Sequence, residues 1–94
     1  MLAQNPADSF LHHALALEYI KLGNDEEGQR LFEELLGKEP GYVGSYYHLA
    51  KLLERNNKTE EAIKVYVRGM EQARKAGDQH AFGELRAAWE ELTF

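Results

Sequence analysis

Ninety-four residues with 44 % hydrophobic content describe one small folded domain rather than a disordered chain. Sixteen acidic residues against 11 basic ones, for a formal charge of -5, argue against nucleic acid, whose phosphates need a basic stripe. The absence of cysteine removes disulfides, thiolate metal sites and a cysteine nucleophile.

The pattern predicts five helices and no strand, an all-α antiparallel helix-hairpin stack. The start, MLAQNPADSF, lacks a basic segment followed by an apolar core, and no apolar run approaches the ~20 residues of a membrane span, so the chain reads as cytoplasmic. A first helix is expected from about Pro6 to Leu22. Asn5 can cap it, Pro6 suits the first helical position, Asp8 favours the N-terminal dipole and Gly23 stops it. A second is expected from about Asp25 to Leu36, with Asn24 and Glu27 at capping-box spacing. After a turn around Pro40, a third is expected from about Tyr42 to Arg55, stopped by Asn56, Asn57 and Lys58. A fourth is expected behind Thr59 as N-cap, running to Ala76 before Gly77, and a fifth behind Asp78, running to about Leu92. The short connections make consecutive helices antiparallel neighbours.

Each helix carries an apolar stripe at helical spacing. Leu15, Ala16, Tyr19 and Leu22 share a face of the first, Tyr46, Leu49, Ala50 and Leu53 of the third, and Phe82, Leu85, Trp89 and Leu92 of the fifth. Gly28 with Phe32, and Ala62 with Tyr66, alternate small and large residues, so paired helices can approach closely. The pattern recurs 34 residues on: Pro6, Leu15, Ala16, Tyr19, Gly28, Phe32 and Leu35 answer to Pro40, Leu49, Ala50, Leu53, Ala62, Tyr66 and Gly69. A fixed period of this length marks stacked helical repeats, which build surfaces rather than active sites.

These residues resemble the tetratricopeptide repeat. Its bulky residue, Leu, small residue and Tyr, followed by small, aromatic, small and Pro, read here as His12, Leu15, Ala16, Tyr19, Gly28, Phe32, Leu35 and Pro40, then Tyr46, Leu49, Ala50, Leu53, Ala62, Tyr66, Gly69 and Arg74. EEAIKVY (Glu60 to Tyr66) is typical of the family's second helix. His12 stands where a large apolar group is usual, Leu35 replaces a small residue, and Arg74 replaces the closing Pro, so the fourth helix can run on. Phe82, Leu85 and Trp89 then follow Tyr46, Leu49 and Leu53 at a 36-residue interval, as a capping helix. The resemblance implies a right-handed superhelix, with repeat one over about 6–40, repeat two over about 41–76 and the capping helix over about 78–92.

It also implies a concave groove for a peptide. The family's groove positions fall on Phe10, His13, Leu17, Ile20 and Lys21 in the first helix and on Tyr47, Lys51, Glu54 and Arg55 in the third; His80, Ala87 and Glu90 join them if the fifth follows the shifted register. Apolar residues beside Lys21, Lys51 and Arg55 suggest a protein or peptide partner with an apolar anchor and an acidic group. The carboxylate clamp of chaperone-binding members needs Lys and Asn where this chain has His13, Leu17, Tyr47 and Lys51, so chaperone tails are disfavoured.

The alternative is self-association. Two repeats and a cap fall below the three repeats usually needed for stability, so a homodimer could bury end faces or groove, with Phe10, Leu11 and Phe94 as candidate contacts. Catalysis and metal binding find no support: His12 and His13 point about 100° apart on a helix, His80 and Glu84 offer only two ligands, and Ser9 and Ser45 lack a nucleophile-elbow context. No cofactor is implied, and no feature specifies a small-molecule ligand.

Overall fold

The structure, a computed structural model, describes residues 6–93, with side chains from Asp8 onward. The expected Asn5 cap and the Phe94 contact lie outside the described residues. Five helices follow in order: α1 (Pro6–Lys21), α2 (Asp25–Lys38), α3 (Gly44–Arg55), α4 (Thr59–Ala76) and α5 (Gln79–Thr93). No strand occurs among the described residues. α1 with α2 and α3 with α4 form two antiparallel hairpins, α2 packs on α3, and α5 lies against α4 and the edge of α3. The chain is thus the expected all-α hairpin stack.

Local chemistry sets the helix ends. After α1, the N–H of Gly23 donates to Ile20 O (3.0 Å) and that of Asn24 to Tyr19 O (2.8 Å), a Schellman closure with Gly23 at φ +85°. Thirty-four residues later Asn57, at φ +64°, repeats it: Asn57 N–H donates to Glu54 O and Lys58 N–H to Leu53 O. Gly77 closes α4 in the same way. Asn24 caps α2 by accepting from Glu27 N–H at 3.4 Å, and Asp78 caps α5 by accepting from Ala81 N–H at 3.0 Å. The capping box of α2 is one-sided, because the Glu27 carboxylate turns to Arg30.

Three boundaries differ from expectation, the first being the end of α2, which runs two residues past Leu36 to Lys38. Thr59 is the first residue of α4; Lys58 occupies the cap position and supplies no side-chain acceptor. α3 begins at Gly44 rather than Tyr42, because Tyr42 and Val43 stay in the turn that the Tyr46 hydroxyl ties down by donating to Pro40 O at 2.6 Å.

The core runs between the layers through Ala16, Phe32, Tyr46, Leu49, Ala50, Leu53, Ala62, Tyr66, Ala73 and Leu85, each at most 3 % exposed. Small residues permit the close approach. A Cβ on Gly69 would lie 2.7 Å from Tyr46 Cβ and 3.1 Å from Leu85 Cδ1, and one on Gly28 would lie 2.6 Å from Ile20 Cγ1. The α1 stripe divides: Ala16 is buried and Tyr19 packs on the core, whereas Leu15 is 49 % and Leu22 77 % exposed. In α3 the equivalent Leu49 is covered by the preceding hairpin; among the described residues nothing occupies that place over α1.

Candidate binding groove

α1, α3 and α5 line one face of the stack. At its centre the ring of His13, from α1, meets three others: Tyr42 at 5.6 Å, Phe32 at 5.5 Å and His48 at 5.3 Å between centroids. His13 Nδ1 shares a 2.7 Å hydrogen bond with Oγ of the fully buried Ser45 in α3, which ties one repeat to the next. His48 lies parallel to Phe32 at 6.2 Å and edge-on to Tyr47 at 6.1 Å. Burial holds the His13 imidazole below its ordinary range, and the neighbouring His48 lowers it further. His48 keeps one side open to water, yet the rings around it withdraw it enough to lower its pKa as well, against the opposing pull of Glu84.

Two depressions flank this cluster. One, of ≈ 500 Å³, is lined by Phe10, His13, Tyr42, Val43 and Gly44 and closed by Ala76 at the end of α4 and Asp78 just before α5. It is mainly apolar, and Phe10 is 60 % exposed at its mouth. The other, of ≈ 260 Å³, lies between α3 and α5, lined by Tyr47, Lys51, Glu84, Ala87, Ala88 and Glu91. There the Lys51 ammonium sits 5.6 Å from the Tyr47 ring centroid and 3.7 Å from the Glu54 carboxylate. Glu54 also accepts a hydrogen bond from the Tyr66 hydroxyl, and burial together with that carboxylate pushes the phenol well above its ordinary range.

The residues expected in the groove therefore separate. Phe10 and His13 line the first depression, and Tyr47 and Lys51 the second. Leu17 and Ile20 pack half-buried against the core, Ile20 over Gly28. Lys21 pairs with Glu18 at 3.6 Å on the outer surface of α1. Glu54 is shared between Tyr66 and Lys51. Arg55 turns back to α2, where it donates to Asp25 at 2.6 and 3.3 Å. That guanidinium and Asn56 hold the Asp25 carboxyl below its usual range.

On α5, Ala87 lines the groove, His80 pairs with Glu84 at 3.3 Å, and Glu90 pairs with Arg86 at 3.1 Å. Tyr42, His48, Glu84 and Glu91 were not expected in the groove. The 34-residue period maps His13 onto Tyr47, one position before His48, so an off-register contact between repeats has no periodic signal. Glu84 does follow His48 at the 36-residue shift, and that signal could have found it. Among the described residues no three His, Cys, Asp or Glu side chains come together as a metal site, and no helix is long and apolar enough to cross a membrane.

Two helical hairpins and a closing helix, with ring-lined depressions along one face, define a helical repeat module. The tetratricopeptide repeat family model matches residues 19–88. A tetratricopeptide repeat domain protein from Salinibacter ruber, solved by NMR in solution, is 44 % identical, with a TM-score of 0.88 covering 95 % of this chain and 90 % of that one. A crystal structure of a tetratricopeptide repeat domain protein from the same organism gives 44 % identity and a TM-score of 0.86, covering 90 % of this chain and 94 % of that one. The chain belongs to the tetratricopeptide repeat family, whose fold is generally a protein–protein interaction module.

Two mouse proteins are similar over part of their length. Interferon-induced protein with tetratricopeptide repeats 3 is 30 % identical over 61 residues, 65 % of this chain. Aspartyl/asparaginyl beta-hydroxylase is 27 % identical over 77 residues, 82 % of this chain. The chain spans only 15 % and 10 % of these curated relatives.

Proposed function

We propose that this chain is a non-catalytic module that captures a peptide segment across α1, α3 and α5. The observation that supports the reading most is the pair of depressions on one face, an apolar one at Phe10, His13 and Tyr42 and a polar one at Tyr47, Lys51, Glu84 and Glu91. A bulky apolar side chain suits the first, where rings already line the walls.

The charge expected of the partner changes with the packing. Of the three cations expected to face an acidic group, Arg55 is bound to Asp25, Lys21 lies beside Glu18, and Lys51 shares its depression with Glu84 and Glu91 and approaches Glu54. Three carboxylates around one ammonium favour a basic side chain, with its aliphatic stem against Tyr47, over the acidic group that the sequence suggested.

The test is selection of peptides from a random library on the intact chain, repeated on Glu84→Lys with Glu91→Lys. Enrichment of an aromatic or aliphatic residue together with Lys or Arg, lost on the reversed variant, is the expected result. Enrichment of acidic peptides that survive the reversal would overturn the charge assignment. No enrichment on either chain would overturn the groove reading.

A further inference from the structure

We propose that the outer face of α1 is a self-association surface that meets the same face of a second copy about a two-fold axis. Among the described residues five large apolar side chains are exposed, and four of them, Phe10, Leu11, Leu15 and Leu22, lie on α1 or directly after it. Leu11, Leu15 and Leu22 are 61 %, 49 % and 77 % exposed and, with Glu18, form one stripe at spacings of four, three and four residues.

The repeat shows what this stripe is shaped to do. Thirty-four residues on, Leu11, Leu15, Glu18 and Leu22 become Ser45, Leu49, Leu52 and Asn56. Ser45, Leu49 and Leu52 are 0 %, 3 % and 2 % exposed, with Ser45 bonded to His13 of α1 and Asn56 to Asp25 of α2. The α1 stripe therefore holds the register that repeat two buries against repeat one, without a preceding hairpin over it among the described residues. Contiguous apolar surface of this kind marks an interaction site.

Three observations select a second copy in two-fold arrangement. Among the described residues of α5, Phe82, Trp89 and Leu92 are half-buried against the core while His80, Glu84, Arg86 and Glu91 are exposed, so the opposite end offers no matching exposed leucine stripe for a head-to-tail contact. The spacing of the stripe reads the same in both directions, so an antiparallel copy brings Leu11 against the other copy's Leu22 and Leu15 against the stem of its Glu18. Glu18 is compensated by Lys21 of its own chain at 3.6 Å, so the faces meet without like-charge repulsion. One helix on each side falls short of the roughly 800 Å² per partner of a standard interface, which places the association in the micromolar range or weaker. The groove stays open in this arrangement, so the proposal stands apart from the peptide reading.

Sedimentation equilibrium on the intact chain from about 10 μM to about 1 mM tests it. The expected result is a monomer–dimer equilibrium with no larger species, weakened at least about tenfold in Leu11→Glu with Leu22→Glu while helicity by circular dichroism is unchanged. A monomer throughout, growth beyond the dimer, or a dimer indifferent to the double variant would overturn it. Register is tested in the naturally cysteine-free background. Leu11→Cys with Leu22→Cys is expected to give a disulfide-linked dimer under mild oxidation much faster than Leu11→Cys alone; equal rates would contradict the antiparallel pairing.

Discussion

Arg55 at the end of α3 reaches back 30 residues to clamp Asp25 in the first turn of α2, Nη2 to Oδ1 at 2.6 Å, with Asn56 donating to the same carboxylate at 3.1 Å. The clamp joins the two repeats on the far side of the joint from the His13–Ser45 bond. Asp25 also sits at the positive end of the α2 dipole, so both interactions favour its charged form. Because Arg55 is more than half exposed, the pair contributes little: Arg55→Ala is expected to cost about 0.5–1 kcal/mol in urea denaturation at neutral pH. The Asp25 carboxyl is lowered in the fold, so its contribution is present above the unfolded value near ~4 and is lost as pH falls through the folded value. The Arg55→Ala difference should therefore vanish in strong acid; a difference that persists below pH ~2 would contradict the assignment.

Gly69→Ala should destabilise the fold more than Gly28→Ala. Alanine gains about 1 kcal/mol of helix propensity in either case. At Gly69 the new methyl meets Tyr46 Cβ, fixed to the α3 backbone, and Leu85, so overpacking of about 1–3 kcal/mol outweighs the gain. At Gly28 the new methyl meets the half-buried Ile20 side chain at 2.6 Å, which can turn aside. It also meets Ala16 O at 3.2 Å, where the α1 backbone must yield by a few tenths of an ångström, so this variant too is destabilised, by less. Thermal unfolding of both variants decides it, and equal midpoints would show that α4 does not depend on this contact.

The two groove histidines predict an acid-sensitive fold. Both have folded pKa values lowered by burial, so the unfolded chain binds more protons as pH falls below its ordinary value near ~6.5. Stability is thus expected to be full above that value and to decline below it as the histidines bind protons on unfolding. Proton NMR titration of the imidazole signals should find His13 and His48 titrating below ~6.5. Ordinary or raised values would contradict the packing around His13.

Tyr66 should resist ionisation. Its ring is fully buried and its hydroxyl donates to Glu54, so removing the proton would place two negative charges together away from water. Absorbance titration in base should leave the Tyr66 share of the phenol signal silent until the chain unfolds, with Tyr46, also raised by burial, ionising late. Tyr66→Phe should remove that silent group and cost about 1 kcal/mol, because Glu54 keeps Lys51 as a partner. Ionisation of every tyrosine before unfolding would show that the hydroxyl is not held.

Much of this architecture was legible in the chain because it rests on side-chain size and backbone chirality. Ala16, Gly28, Ala62 and Gly69 mark close helix contacts in the sequence as plainly as in space, and Gly23 and Gly77 stand where left-handed closures end helices. The groove was legible only where it repeats. Tyr47 and Lys51 fall on groove positions that the family resemblance implies, whereas His13 meeting His48 depends on the rotation of α1 against α3, which no local pattern encodes. Arg55 looked like a free groove cation because its partner lies 30 residues away, on the neighbouring hairpin. Leu15 and Leu22 looked like core because an amphipathic stripe records that a face is apolar, not whether another element covers it.

Peptide capture on this face is best checked by mapping amide shift changes in a ¹⁵N spectrum as a library-selected peptide is added. Perturbations should concentrate at Phe10, His13, Tyr42, Tyr47, Lys51, Glu84 and Glu91, with α2 and the outer face of α4 quiet. Perturbations centred on α2 and α4, or on Leu11, Leu15 and Leu22 alone, would contradict it.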